Sequence, residues 1–295
     1  MQRLTLRNTP IHYRQTGRGT PLLLLHGWGA SSSYWHYTMS SFADRRTCYA
    51  PDLPGYGESP PLTGPASVEH LADLMIAFAD ALDLAQFDLN GHSFGGAIAV
   101  YIAARYPQRV RRLVLTCFGT FGTEMEQFLL SVAYYQMDLT LTISKPWLML
   151  WQPWMSLWQR CMVAAGCASP VPQALARPFF HRLPADHAML CEGYTDFVGM
   201  DYRTSLEGAS SLGNPDLRKA LQSIVAPTLF IGARQDLMIM TSRVEGAAKL
   251  IPHARIAWIN QCGHIPMIER PQEYHQILQG FLIGELYPEH PFGTV

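Results

Sequence analysis

Short apolar runs alternate with amphipathic stretches over most of the chain. Residues 4–15 switch between apolar and polar side chains, which predicts a β-hairpin at the N-terminus. Further short apolar runs predict strands near Leu22, Cys48, Gln86, Arg112, Thr228 and Arg255. Because helical patterns lie between these runs, the order predicts an α/β fold with a mostly parallel central sheet flanked by helices.

Two of the helical patterns are especially clear. Residues 67–82 begin with Ser67, a residue type that caps helices, and then place apolar residues on one face. That face holds Leu71, Leu74, Met75, Phe78 and Leu82. Residues 94–105 are small, apolar and rich in alanine, and Pro107 ends the pattern, so we expect a helix packed closely on the sheet.

The alternation of strands and helices stops between residues 120 and 212, where long helical patterns lie between prolines and no strand pattern occurs. This interruption predicts an insertion into the core. We therefore divide the chain into a first core segment at residues 1–119, a helical cap at 120–212 and a second core segment at 213–295.

Composition and charge exclude several classes of protein. Among the 295 residues, 48% are hydrophobic and 15% are charged, and the net charge is −1. Such a chain has no basic field with which to hold nucleic acid or an anionic membrane, so we expect no nucleic-acid partner. The N-terminus lacks the positive start and apolar run of a secretory signal, which predicts a cytoplasmic location.

The six cysteines are scattered along the chain, at positions 48, 117, 161, 167, 191 and 262. Their spacing matches neither a zinc site nor a dense disulfide framework, so we expect reduced thiols and no metal. No phosphate-binding loop or dinucleotide fingerprint is present in the sequence either, and no cofactor is predicted.

The most informative motif is Gly-His-Ser-Phe-Gly at residues 91–95, which follows a predicted strand and opens a predicted helix. A serine on so sharp a turn has an exposed hydroxyl, and glycines two positions away on either side avoid collisions with the adjoining strand and helix. Ser93 is therefore the candidate nucleophile. The backbone N–H of Phe94, at the start of the helix, points where a developing oxyanion would lie.

Two later loops supply a candidate base and a candidate acid. Asp236 follows the strand near Thr228, and His264 follows the strand near Arg255, at the same end of the sheet as Ser93. An imidazole takes the serine proton, and a carboxylate orients that imidazole and stabilises its charged form. Glu124, after the strand near Arg112, is an alternative position for the acid.

The sequence resembles the α/β-hydrolase superfamily over nearly its whole length, in particular the cap-bearing branch of esterases, lipases and C–C bond hydrolases. The resemblance rests on the order Ser93, Asp236, His264 and on two segments. Residues 22–29 read LLLLHGWG, as in the strand and oxyanion loop of that family, and residues 51–59 read PDLPGYGES, as in the turn after its next strand. The resemblance implies that the backbone N–H of Trp28 is the second oxyanion donor beside Phe94, and that His26 and His92 support the site structurally.

Residues 145–158 hold four of the seven tryptophans. One interpretation is that these side chains form the packing core of the cap, since aromatic stripes are common in cores. The other is a substrate pocket formed by Trp147, Trp151, Trp154 and Met155, because such side chains make broad apolar walls. The second interpretation predicts a small hydrophobic ester as the substrate.

Several functions remain open at this stage. A serine at the turn argues against haloalkane dehalogenases and epoxide hydrolases, which use a carboxylate there. Hydrolysis of a C–C bond in a vinylogous diketone uses the same three residues, with Arg177, Arg182 or Arg203 available for a substrate carboxylate. A ligand receptor with slow turnover is a further alternative. The apolar run around the tryptophans is interrupted by Pro146, Gln152 and Pro153 and is too short to span a bilayer, so we expect no stable insertion. Transient contact with a membrane surface is left open.

Overall fold

The computed structural model describes residues 1–120, 124–284 and 293–294 of the chain. In those ranges it leaves out the side chains at positions 124–131, 133, 134, 137, 138, 141, 145, 148, 149, 152, 156, 293 and 294.

The strands of the described residues form one sheet. They are β1 (Gln2–Leu6), β2 (Thr9–Gly17), β3 (Thr20–Leu25), β4 (Arg46–Pro51), β5 (Phe87–His92), β6 (Val110–Thr116), β7 (Thr228–Ala233), β8 (Arg255–Ile259) and β9 (Gly293–Thr294). Their spatial order is β1-β2-β4-β3-β5-β6-β7-β8-β9. The strands from β4 through β3 and β5 to β8 run parallel, while β1, β2 and β9 join antiparallel at the two edges.

The helices of the described residues are α1 (His36–Phe42), α2 (Val68–Ala81), α3 (Phe94–Arg105), α4 (Glu124–Gly166), α5 (Val171–Ala176), α6 (His187–Gly199), α7 (Tyr202–Ser211), α8 (Asp216–Gln222), α9 (Thr241–Ala248), α10 (Pro266–Glu269) and α11 (Pro271–Ile283). In this part of the chain no helix combines the length and the apolarity needed to cross a bilayer.

Strand β3 is buried on both faces over residues 22–25, and β7 is buried throughout, which explains why their sequences hold continuous apolar runs rather than alternating ones. In β3, Leu23 and Leu25 pack into one hydrophobic core with α2, α3 and α8. Leu22 and Leu24 point to the other face and pack into a second core with α1 and α11. The sheet therefore has a layer of helices on each side, as the sequence predicts.

The predicted elements of the core are confirmed. The strands lie at or next to the expected positions, and the helix predicted at 67–82 runs from Val68 to Ala81. The side chain of Ser67 caps it by accepting a hydrogen bond from the backbone N–H of His70. The helix predicted at 94–105 has the same bounds in the structure.

The described elements between β6 and β7 are all helices, from α4 to α8. The longest of these, α4, packs against α6 and α7 and contains Pro146 and Pro153 within its length. The limits of the cap at 120 and 212 stay a prediction, but every element from α4 to α7 lies inside them.

One expectation about the cysteines is wrong. The structure joins Cys167, which follows α4, to Cys191 on α6 in a disulfide, with their Cα atoms 5.4 Å apart. Spacing along the chain gave no sign of this pair, because packing of α4 against α6 brings the two positions together. Cys48, Cys117, Cys161 and Cys262 are free.

Candidate active site

Ser93 occupies the turn between β5 and α3, at the N-cap position of the helix, and its side chain makes no capping hydrogen bond. Its φ is +51° and its ψ is −113°, a conformation that a residue with a β-carbon adopts only under constraint. Two backbone hydrogen bonds hold the turn. Ser93 N–H donates to Thr116 O at 2.9 Å, and Gly96 N–H donates to Ser93 O at 2.8 Å.

The glycines around Ser93 are required by close backbone contacts. A β-carbon on Gly91 would lie 2.6 Å from the carbonyl carbon of Gly95. A β-carbon on Gly95 would lie 2.5 Å from the backbone oxygen of His26 and would also collide with that of Leu25. The two sides of the turn therefore lie in close backbone contact with each other, and the turn also contacts the end of β3. Only glycine fits at these two positions.

Asp236 and His264 meet as the sequence predicts. Nδ1 of His264 lies 2.8 Å from Oδ2 of Asp236, and both side chains are buried. The other carboxylate oxygen of Asp236 accepts hydrogen bonds from the backbone N–H groups of Met238, at 2.7 Å, and Ile239, at 3.0 Å. The carboxylate is thus fixed at both oxygens.

Burial alone would raise the pKa of Asp236. The hydrogen bond with His264, the charge interaction with that imidazole and the two backbone N–H donors outweigh burial, so the pKa lies below the ordinary value. Asp236 is therefore ionised near neutral pH. An ionised carboxylate at this distance fixes the proton on Nδ1 of His264, which leaves Nε2 as an acceptor.

Cys117, at the end of β6, completes the surroundings of the carboxylate. Its sulfur, a carboxylate oxygen of Asp236 and a ring nitrogen of His264 lie within 4.8 Å of one another. Burial, followed by the nearby charge of Asp236, raises the pKa of the Cys117 thiol, so the thiol stays protonated and can donate to the carboxylate. This contact was not predicted from the sequence, although the position of Cys117 directly after β6 was a signal.

The histidines that flank the site in sequence hold loops in place. His92 Nε2 lies 2.8 Å from the backbone oxygen of His264, and an oxygen acceptor there requires Nε2 to carry the proton. Burial, then the neighbouring His264, lowers the pKa of His92 to about 3, so the ring is neutral. Nε2 of His26 accepts a 2.9 Å hydrogen bond from the backbone N–H of Leu53.

The loop after β3 carries Trp28, whose backbone N–H is a candidate oxyanion donor. The Trp28 indole donates a 2.9 Å hydrogen bond to the backbone oxygen of Ser205, and Phe197 of α6 packs edge-on against it with ring centroids 5.5 Å apart. Gly29 has a φ of +71°, and a β-carbon there would lie 2.7 Å from Phe197. Phe94, the second candidate donor, is the first residue of α3, where backbone N–H groups have no partner inside the helix.

Asp196 of α6 ties the same loop to the cap. Its Oδ2 accepts hydrogen bonds from the hydroxyls of Ser31, at 2.6 Å, and Ser33, at 3.1 Å. Burial raises the pKa of Asp196 to about 6 despite these two donors. On the core side, Oδ1 of Asp52 accepts a 2.7 Å hydrogen bond from the backbone N–H of Ser32. Sequence reasoning did not identify Asp196.

A cavity of about 270 Å³ opens over Ser93 and His264. Its walls are largely apolar and come from both the core and the helices after α4. The cap contributes Phe179, Phe180, Leu190, Gly193, Tyr194 and Phe197. The space is large enough for an apolar group of a small molecule, and Ser93 and His264 are among the polar residues that line it.

A second, smaller cavity of about 130 Å³ reaches Ser93 from another side. It is lined by Cys117, Phe118 and Leu212 among others, and Arg218 of α8 contributes its one cationic side chain among the described lining residues. Ser93 therefore lies where two cavities meet.

The residues of the expected Trp pocket do not line the cavity over Ser93, which corrects this expectation. Trp147, Trp151 and Trp154 are exposed on α4, Met155 is partly buried, and none of them lines either of these two cavities. The aromatic walls come instead from residues after α4, because α5, α6 and the turn between them lie over Ser93.

The other candidates are also located. Arg177 and Arg182 are exposed and outside both cavities. Arg203 pairs with Glu207 at 3.4 Å and donates to the backbone oxygen of Leu62. The side chain of Glu124, the alternative acid, lies outside the described residues.

Comparisons with known proteins identify the family. The family model described as "Alpha/beta hydrolase family" matches residues 22–277. The chain is 28% identical over 286 residues to 2-hydroxymuconate semialdehyde hydrolase of Pseudomonas sp. (strain CF600), covering 93% of this chain and 90% of the relative. It is 26% identical over 273 residues to pimeloyl-[acyl-carrier protein] methyl ester esterase of Nitrosomonas europaea, and the match covers 90% of this chain and 96% of that relative.

Among solved structures, the fold is similar to that of the enol-lactonase from Burkholderia xenovorans LB400. The TM-score is 0.72 at 22% identity, with 96% of this chain and 100% of that chain covered. Because the family model spans most of the chain and the sheet and its helices have the matching architecture, the protein belongs to the alpha/beta hydrolase family.

Proposed function

We propose that this hydrolase cleaves a hydrophobic carboxylic ester through an acyl-enzyme intermediate, with Ser93 as nucleophile, His264 as base and acid, and Asp236 as the group that orients His264. One observation carries the proposal. The buried 2.8 Å hydrogen bond between His264 and Asp236 lies at a largely apolar cavity whose wall also includes Ser93.

The first half of the reaction forms the acyl-enzyme. Nε2 of His264 takes the proton from the Ser93 hydroxyl while its oxygen attacks the ester carbonyl carbon. The negative oxygen of the tetrahedral intermediate accepts hydrogen bonds from the backbone N–H groups of Trp28 and Phe94, an effect of roughly 3 kcal/mol for one such donor. The C–O bond to the alcohol then breaks, and His264 returns the proton to the leaving oxygen.

The second half repeats these steps with water. His264 removes a proton from a water molecule, whose oxygen attacks the acyl carbon, and the bond to Ser93 breaks as His264 reprotonates its oxygen. Asp236 stays ionised throughout, since its pKa is lowered in the folded protein. The products are a carboxylic acid and an alcohol.

The cavities support a substrate with one large apolar part. The larger cavity is lined by aromatic and aliphatic side chains, which suits a hydrocarbon or aromatic group better than a sugar or a phosphate. The smaller cavity accommodates the group on the other side of the scissile bond. The similar esterase of Nitrosomonas europaea acts, by its name, on a methyl ester, a bond of the same class.

The test is steady-state hydrolysis of p-nitrophenyl esters of increasing acyl length by the wild type and by Ser93→Ala. We expect turnover by the wild type to rise from acetate to medium or long chains, and Ser93→Ala to lose nearly all of it. A fluorophosphonate should label the wild type covalently and leave Ser93→Ala unlabelled.

Two results would refute the proposal. Substantial ester hydrolysis by a folded Ser93→Ala variant would exclude Ser93 as the nucleophile. Absence of turnover on every ester by a folded wild type would shift the assignment to C–C bond hydrolysis, or to a ligand receptor if a ligand binds tightly and is converted slowly.

Arg218 favours a second candidate, hydrolysis of a C–C bond in a vinylogous diketone. Such substrates carry a carboxylate, and a guanidinium in the smaller cavity is a suitable partner for it. The chain is also similar to 2-hydroxymuconate semialdehyde hydrolase. The absence of any other cationic residue from the described walls of both cavities makes this candidate depend on Arg218.

Replacing Arg218 separates the two candidates. An Arg218→Gln variant should leave hydrolysis of uncharged p-nitrophenyl esters close to the wild-type rate under the ester proposal. If a ring-cleavage diketone acid is the better substrate, the same variant should raise KM for that acid by about tenfold or more, because it removes a charge-assisted hydrogen bond.

A further inference from the structure

The tryptophans of α4 form an exposed apolar surface that the proposed active site does not use. We define the Trp stripe as Trp147, Leu150, Trp151, Trp154, Leu157 and Trp158. Each of these side chains is 55–67% exposed. Singly exposed apolar residues are ordinary, but six large ones in a row along one helix require an explanation.

The stripe is continuous on one side of the helix. At 100° per residue, its members fall within an arc of about 120° and extend for about 17 Å along the axis. The four tryptophans lie within about 60° of one another. Residues 146–159 contain no charged side chain, so the stripe is also uncharged from end to end.

The inner side of the same helix is fixed to the rest of the cap. Gln159 Nε2 donates a 3.0 Å hydrogen bond to the backbone oxygen of Met200. The hydroxyl of Tyr194, on α6, donates a 2.8 Å hydrogen bond to the backbone oxygen of Met162. With its other flank held in this way, α4 presents the stripe outward.

The exposed area exceeds what scattered surface residues provide. Four tryptophans exposed to this degree present on the order of 500 Å² of mainly apolar surface, and the leucines add to it. The largest apolar patch of a typical monomer is about 300–600 Å², and such patches are often functional. The area is therefore large enough for a specific contact.

Hydrogen bonding distinguishes the two main candidates for contact with this surface, a second copy of the chain and a lipid layer. If two copies of the chain paired through their stripes, the indole N–H groups would be buried against Trp and Leu side chains, which offer no acceptor. Unpaired donors of this kind are costly. At the boundary between lipid headgroups and acyl chains, the rings enter an apolar layer while their N–H groups stay near water and ester oxygens.

The charge of the chain and of the stripe indicates which class of lipid the stripe would contact. The chain has a net charge of −1, and the stripe itself has no basic residue, with only Lys145 and Arg160 just beyond its two ends, so attraction to anionic lipids is not the main source of binding. A neutral, zwitterionic phospholipid surface matches an uncharged stripe. We infer that the Trp stripe docks the protein onto the interfacial layer of a zwitterionic phospholipid membrane, with α4 lying in the plane of the surface.

Docking in this way also has a consequence for the substrate cavity, which rests on the proposed function. Helix α6 packs against α4 and lines the cavity over Ser93. A docked α4 therefore places the cap, and with it the cavity, next to the layer in which hydrophobic esters dissolve. The docking itself is measured by binding, independently of any catalysis.

The experiment is flotation of the full chain with phosphatidylcholine vesicles at low and high salt. The wild type is compared with a fourfold variant that carries Trp147→Gln, Trp151→Gln, Trp154→Gln and Trp158→Gln. The control is Val225→Gln, which removes an apolar residue that is 75% exposed and lies away from α4. Circular dichroism verifies that each variant is folded, and a double variant at Trp151 and Trp158 replaces the fourfold one if that one does not fold.

We expect the wild type and Val225→Gln to float with the vesicles equally at both salt concentrations. The fourfold variant should lose about 100-fold or more in partition coefficient, and the double variant about tenfold or more. Lipids brominated in the acyl chain should quench the wild-type tryptophan fluorescence. The inference is overturned if the folded wild type does not float, if high salt releases it, or if light scattering shows a dimer that the variants lose.

Discussion

The hydroxyl of Ser31 donates a 2.6 Å hydrogen bond to Oδ2 of Asp196, which connects the loop after β3 directly to α6 of the cap. The hydroxyl of Ser33 donates to the same oxygen. Since this loop also carries Trp28, a carboxylate from the cap helps to hold the backbone that we propose as half of the oxyanion hole. Burial keeps the pKa of Asp196 raised, at about 6.

The raised pKa predicts that Asp196→Asn stabilises the protein near neutral pH. The ordinary carboxyl pKa is 3.8 and the folded value is about 6. Between these values the folded state binds more protons than the unfolded state, so this group's contribution to stability is fully present below about pH 4 and is lost as pH rises toward about pH 6. Asparagine carries no charge to desolvate, and its oxygen still accepts from both serines.

Thermal unfolding at about pH 4 and about pH 8 measures this effect. We expect Asp196→Asn to raise Tm at the higher pH and to change it much less at the lower pH, relative to the wild type. An equal shift at both pH values, or a lower Tm at about pH 8, would show that Asp196 is not a buried carboxylate with a raised pKa.

We expect Asp236→Asn to lower kcat by roughly 10³–10⁴-fold with little loss of stability. An amide at this position has only one oxygen that can accept hydrogen bonds, whereas the carboxylate uses both of its oxygens. It also cannot stabilise the charged imidazole, and its NH₂ group allows the wrong tautomer of His264. Steady-state ester hydrolysis measures the loss. Glu124→Gln is the matched control, and the assignment of the acid would be reversed if that variant were the damaged one.

Gly95→Ala should destabilise the fold because a β-carbon there meets two backbone oxygens at the end of β3. Neither backbone segment can move without disturbing the sheet, so we expect a loss of about 1–3 kcal/mol in the free energy of unfolding. Gly64→Ala is the control, since nothing lies within 4 Å of a β-carbon at that position. Urea denaturation should show a change within about 0.5 kcal/mol for the control.

Gly193→Leu should shorten the acyl chain that the enzyme accepts. Gly193 lines the larger cavity, and a β-carbon there lies 3.7 Å from the hydroxyl of Tyr34, so a longer side chain fills cavity space rather than colliding with backbone. We expect kcat/KM for long-chain p-nitrophenyl esters to fall about tenfold or more, with the acetate ester nearly unaffected. Gly199→Leu, on the same helix but in open space, should change neither.

Much of the core was predictable because its signals are local. The continuous leucines of β3 are buried on both faces of the sheet, and Ser67 caps α2 as its position indicated. The turn at Ser93 was also predictable, because glycines at positions 91 and 95 are required by contacts within a few residues and by the adjoining strand. Asp236 and His264 were found through their places directly after strands, and the structure places them in contact.

The cap was predictable only as a set of helices. Trp151 is exposed and Phe197 lines the cavity, yet both are large aromatic residues on helices of the cap. Residue type alone therefore does not distinguish them. Periodicity shows that a helix has an apolar side but does not say what that side faces. The aromatic residues that the sequence suggested for a pocket therefore lie outside the cavity over Ser93.

By itself the sequence determined the α/β architecture, the turn that carries Ser93 and the order of Ser93, Asp236 and His264, because each depends on short-range patterns of hydrophobicity and glycine. Only the tertiary structure decided the bond between Cys167 and Cys191, the walls of the cavity and the contact of Asp196 with Ser31. Those features depend on how segments far apart in the chain pack against one another. The hydrophobic pattern of either segment alone does not indicate which partner it packs against.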